Sequence, residues 1–190
     1  MNFKELRIKL QSLGVKVPLK FSGRKGGAGP SEGQVIIIDG QYISVPTNSW
    51  FVDESPYTII EKGKIFFLTE GSRELCEVLF PKRPNCYDLE TGKGVKLEKI
   101  ALIHGKDCFA STIYQNCLYF DQGCECAFCG IGLSLKNNRT VKEKNPEDLG
   151  YAALKAKDLD QVCHVTLTTG KRINSYDGTK HLAACVKSIK

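Results

Sequence analysis

Four cysteines, Cys117, Cys124, Cys126 and Cys129, fall within 13 residues, and the last two form a C-x2-C pair. No other stretch limits the fold as strongly. A tight turn brings the two sulfurs of such a pair to one side, where both can ligate one metal centre. Apolar and β-branched residues precede the cluster (Ile100, Leu102 and Ile103, then Thr112, Ile113 and Tyr114), and Gly130 and Gly132 follow it. That context predicts a loop leaving a strand, where the chemistry of α/β proteins concentrates.

The other five cysteines, Cys76, Cys86, Cys108, Cys163 and Cys185, are dispersed. A secreted disulfide framework would want an even number and an apolar leader. The total of nine is odd, and the first residues (Asn2, Phe3, Lys4, Glu5) form no apolar core. Metal binding by the cluster, with free thiols elsewhere, and a cytoplasmic location are therefore expected. No run approaches the roughly 18 apolar residues of a membrane span. The net charge of +6 is spread along 190 residues without a basic stripe interleaved with aromatics, which argues against nucleic-acid binding. Tyr114, Tyr119 and Phe120 read as packing aromatics rather than a base-stacking platform. His104, His164 and His181 are isolated and read as structural.

Phe3, Leu6, Leu10 and Leu13 mark one face of a helix that Gly14 stops. Residues 22–30 form a glycine-rich basic loop. It lacks the Gly-Lys-Ser/Thr ending of a phosphate cradle, so it is expected to be a surface loop or an anion-contacting lid. Two β-rich runs flanking Asp39 and Gly40 predict a hairpin, and residues 57–69 predict a second one around Gly63. Residues 72–80 predict a short helix capped by Ser72 and stopped by Pro81. These elements define an N-terminal α+β accessory region, 1–98.

From Lys99 the pattern becomes strand, cysteine loop, helix, strand, loop, helix. Asn145, Pro146, Glu147 and Asp148 carry a helix start, with a cap, a first-turn proline and acids at the positive dipole end. Residues 162–170 read as a β-branched strand ending in Gly170, and residues 177–189 as a helix with Leu182, Cys185, Val186 and Ile189 on one side. The fold class expected is α/β, with 99–190 forming the first two β/α units of a partial TIM-like barrel. Because a closed barrel takes about 250 residues, the chain is expected to be the truncated front part of a longer protein, catalytically silent alone.

The cysteine loop after the first strand of a β/α series, with Phe128 just before Cys129, resembles the radical S-adenosylmethionine (SAM) superfamily. Residues 23–31, His104 and Gly105, residues 126–132 and residues 167–170 together resemble a radical SAM subfamily encoded beside nitrilases. The resemblance implies a 4Fe–4S cluster held by three cysteines, with the fourth iron binding SAM. Phe128 would lie beside the adenine, and Thr168, Thr169 and Gly170 would receive the methionine end. It also implies an external one-electron donor of flavodoxin or ferredoxin type. Reductive cleavage of SAM to a 5′-deoxyadenosyl radical would then abstract hydrogen from a small-molecule substrate, whose identity the resemblance does not carry.

The superfamily spacing C-x3-C-x2-C would put its first cysteine where Gln122 stands. The first ligand is then Cys117 or Cys124. Loop closure costs little more for a longer loop, which favours the set Cys117, Cys126 and Cys129. Two rivals use all four sulfurs: a structural zinc site with four cysteine ligands, and an Fe–S electron carrier without catalysis. Zinc knuckles usually pair two C-x2-C units, and this chain has one. An electron carrier leaves the β/α series unexplained.

Overall fold

The computed structural model describes residues 2–21, 33–126 and 129–190. The glycine-rich loop at 22–30 and Phe128 lie outside the described residues. The chain divides into two compact units, Met1–Lys82 and Arg83–Lys190.

In the first unit, α1 (Phe3–Leu13) begins where the Asn2 side chain accepts from Lys4 N at 3.0 Å, and it buries Leu6 and Leu10. Gly14 ends it at φ 73°, where a Cβ would sit 2.6 Å from Val52 Cγ2 and 2.9 Å from the Pro46 carbonyl oxygen. β1 (Gly33–Ile38) and β2 (Gln41–Pro46) are the expected hairpin, turned through positive φ at Asp39 and Gly40. Ile36, Ile38, Ile43 and Val45 point from it into the core.

β3 (Tyr57–Lys62), β4 (Ile65–Glu70) and β5 (Arg73–Val78) form an antiparallel meander. The helix expected over 72–80 is therefore wrong: residues 73–78 are a strand. Leu75, Val78 and Leu79 sit at spacings a helix could use. The reversal at Gly71 (φ 58°) instead lays the segment against β4, pairing Phe66 with Val78 and Leu68 with Cys76. Backbone pairing to a preformed hairpin overrides a weak local preference.

In the second unit, β6 (Leu102–His104) turns at Gly105 (φ 62°) into β7 (Cys108–Thr112). β7 then pairs in parallel with β8 (His164–Thr168), in the register Cys108 to His164 through Thr112 to Thr168. The crossover holds α2 (Leu118–Asp121), α3 (Ile131–Lys136) and α4 (Pro146–Asp160); α5 (Ser175–Ile189) follows β8. Asn145 caps α4 as its sequence predicts, accepting from Glu147 N at 2.8 Å and Asp148 N at 3.3 Å. α4 and α5 approach so closely that a Cβ on Gly150 would meet the Ser188 carbonyl oxygen at 2.4 Å.

Phe109, Leu149, Ala152, Ala156 and Cys185 share one buried core, against which Leu167 packs. Residues 83–98, grouped above with the N-terminal region, contribute Cys86 and Leu97 to this same core. Among the described residues the protein is thus mixed α/β with three small sheets, and no barrel closes. The parallel pair expected from the β/α pattern is present, with an antiparallel β6 at its edge. Among the described residues no helix is long and apolar enough to cross a membrane.

Candidate metal and cofactor site

The backbone ladder of β7 and β8 continues past both strands. Ile113 N donates to Thr168 O at 2.8 Å, Gly170 N to Tyr114 O at 3.0 Å, and Leu118 N to Lys171 O at 2.8 Å. At the strand ends the Thr112 and Thr168 hydroxyls lie 2.9 Å apart. Residues 140–144 hold the other edge, with Gln115 N donating to Lys142 O at 2.7 Å and Lys144 N to Ile113 O at 2.9 Å. The buried Gln115 side chain donates from Nε2 to Ile131 O at 2.9 Å, tying the start of the cysteine loop to the helix after it. Residues 113–118 are therefore clamped on both sides.

Gly170 explains how the two loops come so close. A Cβ there would fall 1.8 Å from the Asn116 carbonyl oxygen and 3.1 Å from Ile131 Cδ1. Only a glycine lets the chain after β8 lie against the residue preceding Cys117. Thr169 Oγ1 donates to Gly170 O at 3.0 Å.

Cys117, half-buried and extended (φ −147°, ψ 130°), stands at the start of the single-turn α2. Gly123 at φ 66° turns the chain, and Cys124 N donates back to Tyr119 O at 2.8 Å. Cys124 and Cys126 are exposed and Cys129 is half-buried. Cys129 N donates to Cys126 O at 2.9 Å. All nine cysteines are free thiols, so the loop offers unspent sulfur ligands. Among the described residues, no three loop thiols lie within 4.8 Å of one another.

Two charged groups escaped the sequence pattern. Arg172, just beyond Gly170, lays its guanidinium 4.2 Å from the centroid of the Tyr114 ring, with Nη2 2.7 Å from Glu143 Oε1. His181 Nδ1 lies 3.5 Å from that same oxygen. Lys144 is 1% exposed, and burial lowers its ammonium pKa to about 8. Its Nζ donates to Thr140 Oγ1 at 2.5 Å and Val141 O at 2.9 Å.

A second cluster occupies the opposite ends of the same strands. Asp107 precedes β7, Cys163 precedes β8 and His164 opens it. Cys163 Sγ lies 3.2 Å and His164 Nε2 3.8 Å from Asp107 Oδ2. The hydrogen bond to that carboxylate holds the Cys163 thiol above its ordinary range. His164 is thus not isolated as its sequence position implies. The adjacency of Cys163 and His164 was the available signal, while Asp107 enters only through the parallel pairing.

Compared with family models, with curated proteins and with solved structures, the chain finds no match.

Proposed function

We propose that the second unit binds a 4Fe–4S cluster through Cys117, Cys126 and Cys129 and SAM beside Phe128, Thr168, Thr169 and Gly170, as the opening of a radical SAM β/α barrel. The observation that carries this reading is the junction of the two loops. The segment entering the cysteine loop and the segment leaving β8 are bonded by Gly170 N–H to Tyr114 O and Leu118 N–H to Lys171 O. Thiol ligands and a glycine loop therefore meet at the carboxyl ends of adjacent parallel strands, where α/β proteins bind ligands.

The donor set fits the cluster. Three free thiols come from one loop, two of them half-buried and one exposed, so iron can reach them. Thiolate is the ligand such clusters take. When bound, the cluster and SAM supply reductive cleavage of SAM and, from it, hydrogen-atom abstraction from a small-molecule substrate. The electron would come from an external donor of flavodoxin or ferredoxin type. The chain's own contribution is positional. The bonds on both edges of residues 113–118 fix where Cys117 emerges, and the Thr112–Thr168 hydroxyl pair joins the strand ends beneath the loops.

Anaerobic reconstitution with iron and sulfide tests the reading. About four irons per chain are expected, with a spectrum of the reduced cluster that shifts on adding SAM. Retention of zinc by the four cysteines, with no iron uptake, would instead establish a structural four-thiolate zinc site.

A further inference from the structure

We infer that Asp107, Cys163 and His164 form a second metal site, one for a divalent transition ion of the zinc class, at the amino ends of β7 and β8. Carboxylate oxygen, thiolate sulfur and imidazole nitrogen are the ligand types zinc takes. Here one of each converges from two stretches 56 residues apart in sequence, with their ligand atoms all within 4.8 Å of one another. With metal–sulfur near 2.3 Å and metal–oxygen or –nitrogen near 2.0 Å, a tetrahedral centre sets sulfur and oxygen about 3.5 Å apart and nitrogen and oxygen about 3.3 Å apart. The observed 3.2 Å and 3.8 Å lie within a few tenths of an ångström to half an ångström of those values. Small side-chain rotations close the gap.

The backbone beneath is already fixed. Cys163 N and His164 N both donate to the Asp107 carbonyl oxygen at 3.1 Å. This fork locks the two ligand-bearing segments together through the peptide chain rather than through the side chains, so the side chains remain available to the ion. The metal would take the place of the thiol proton that Cys163 now shares with Asp107. Three protein ligands leave a fourth position for water, the pattern of an open rather than a closed zinc site. Cys163 and His164 are exposed, so that position faces solvent.

This site is separate from the cysteine loop. β7 runs five residues from the Asp107 end to the loop end, about 16 Å at strand rise, too far for one ion to be shared. The inference rests on its own three residues and stands whether or not the loop binds an iron–sulfur cluster.

Cobalt titration of the full chain, prepared without iron or sulfide, tests it, because thiolate-to-cobalt charge transfer counts the sulfurs on each ion. A chain with Cys117, Cys126 and Cys129 all changed to alanine should still bind one Co2+ with the band of a single thiolate, and Zn2+ should displace it. Adding Asp107→Asn, Cys163→Ser or His164→Ala should each weaken that binding at least about tenfold, the lower end of what losing even a supporting group costs a metal site. Failure of the triple-alanine chain to take up Co2+ while its far-ultraviolet circular dichroism stays native would overturn the inference. So would binding that ignores all three changes. If the triple-alanine chain does not fold, Cys163→Ser in the otherwise natural chain decides. Loss of one equivalent of Co2+ supports the site, and unchanged stoichiometry refutes it.

Discussion

Replacing Lys144 with methionine should make the stability of the second unit respond to alkaline pH in a new way. The ammonium is almost fully buried, and its two side-chain acceptors are neutral, the Thr140 hydroxyl and the Val141 carbonyl. Burial lowers its pKa from 10.5 to about 8. In the unfolded chain the ordinary value returns, so between about pH 8 and pH 10.5 the unfolded state holds more protons than the native one. Stability attributable to Lys144 therefore rises with pH through that window and is lowest, and flat, below it. The gap corresponds to a penalty of about 3 kcal/mol at neutral pH, of which about 2.5 kcal/mol is relieved between pH 7 and pH 10. Cys86 acts in the opposite sense. Burial and its hydrogen bond to Asp160 push its thiol up to about 12, so the unfolded chain deprotonates first and stability falls as pH rises above about 9.

The difference between the natural chain and Lys144→Met cancels the Cys86 contribution. Methionine keeps the apolar stem but forfeits two hydrogen bonds, costing roughly 1–3 kcal/mol at every pH. The variant should thus be near-neutral to stabilised by up to about 2 kcal/mol at pH 7, and clearly destabilised near pH 10. Urea denaturation followed by circular dichroism suits the test, because the two 15-residue helices α4 and α5 belong to this unit. A difference between the two chains that stays constant within about 0.5 kcal/mol across the window would refute the desolvated ammonium.

Other expected outcomes concern the loops. Gly170→Ala should cost about 1–3 kcal/mol of overpacking strain, because its Cβ collides with the Asn116 carbonyl. It should also lower iron incorporation, measured as iron per chain after reconstitution. Cys126→Ala, Cys129→Ala and Cys117→Ala should each abolish cluster uptake while Cys124→Ala retains it; the reverse result for Cys117 and Cys124 would exchange their roles. Asn145→Ala should cost about 1 kcal/mol in thermal or urea unfolding of the second unit, since both Glu147 N and Asp148 N lose their capping oxygen.

The elements legible in the sequence are those with local causes. Asn145 with Pro146 dictates a helix start whatever surrounds it, and Asp39 with Gly40 dictates a tight hairpin turn. The segment at 72–80 carried two compatible local patterns, and a neighbour decided between them: β4 offered unpaired backbone groups that a helix would have left unpaired. The role of Gly170 was half legible. A glycine ending a strand marks a close approach, but the sequence does not say that the approaching group is the Asn116 carbonyl rather than a ligand. That difference bears on the proposed site. Gly170 acts first on the backbone that aims Cys117, so a substitution there disturbs metal and SAM binding together.

Both candidate centres follow from one fact that no local pattern contains, the parallel register of β7 with β8. Pairing Cys108 with His164 puts Asp107 beside Cys163 at one end. The same register, carried five residues along, puts Thr168 beside Thr112 and Gly170 against Asn116 at the other. A slip of one residue would turn every β8 side chain to the other face of the sheet. Leu167 would leave the core and Thr168 would enter it, an exchange of an apolar for a polar group that the packing of Phe109, Leu149 and Cys185 resists. Leu167, the β8 side chain that packs against this core, therefore favours the register, and the register assembles both sites. Leu167→Thr, which weakens that selection without touching any proposed ligand, should disturb cobalt binding at Asp107 and iron uptake at the cysteine loop in the same variant. Independent behaviour of the two centres in that variant would show that something other than the strand register holds them.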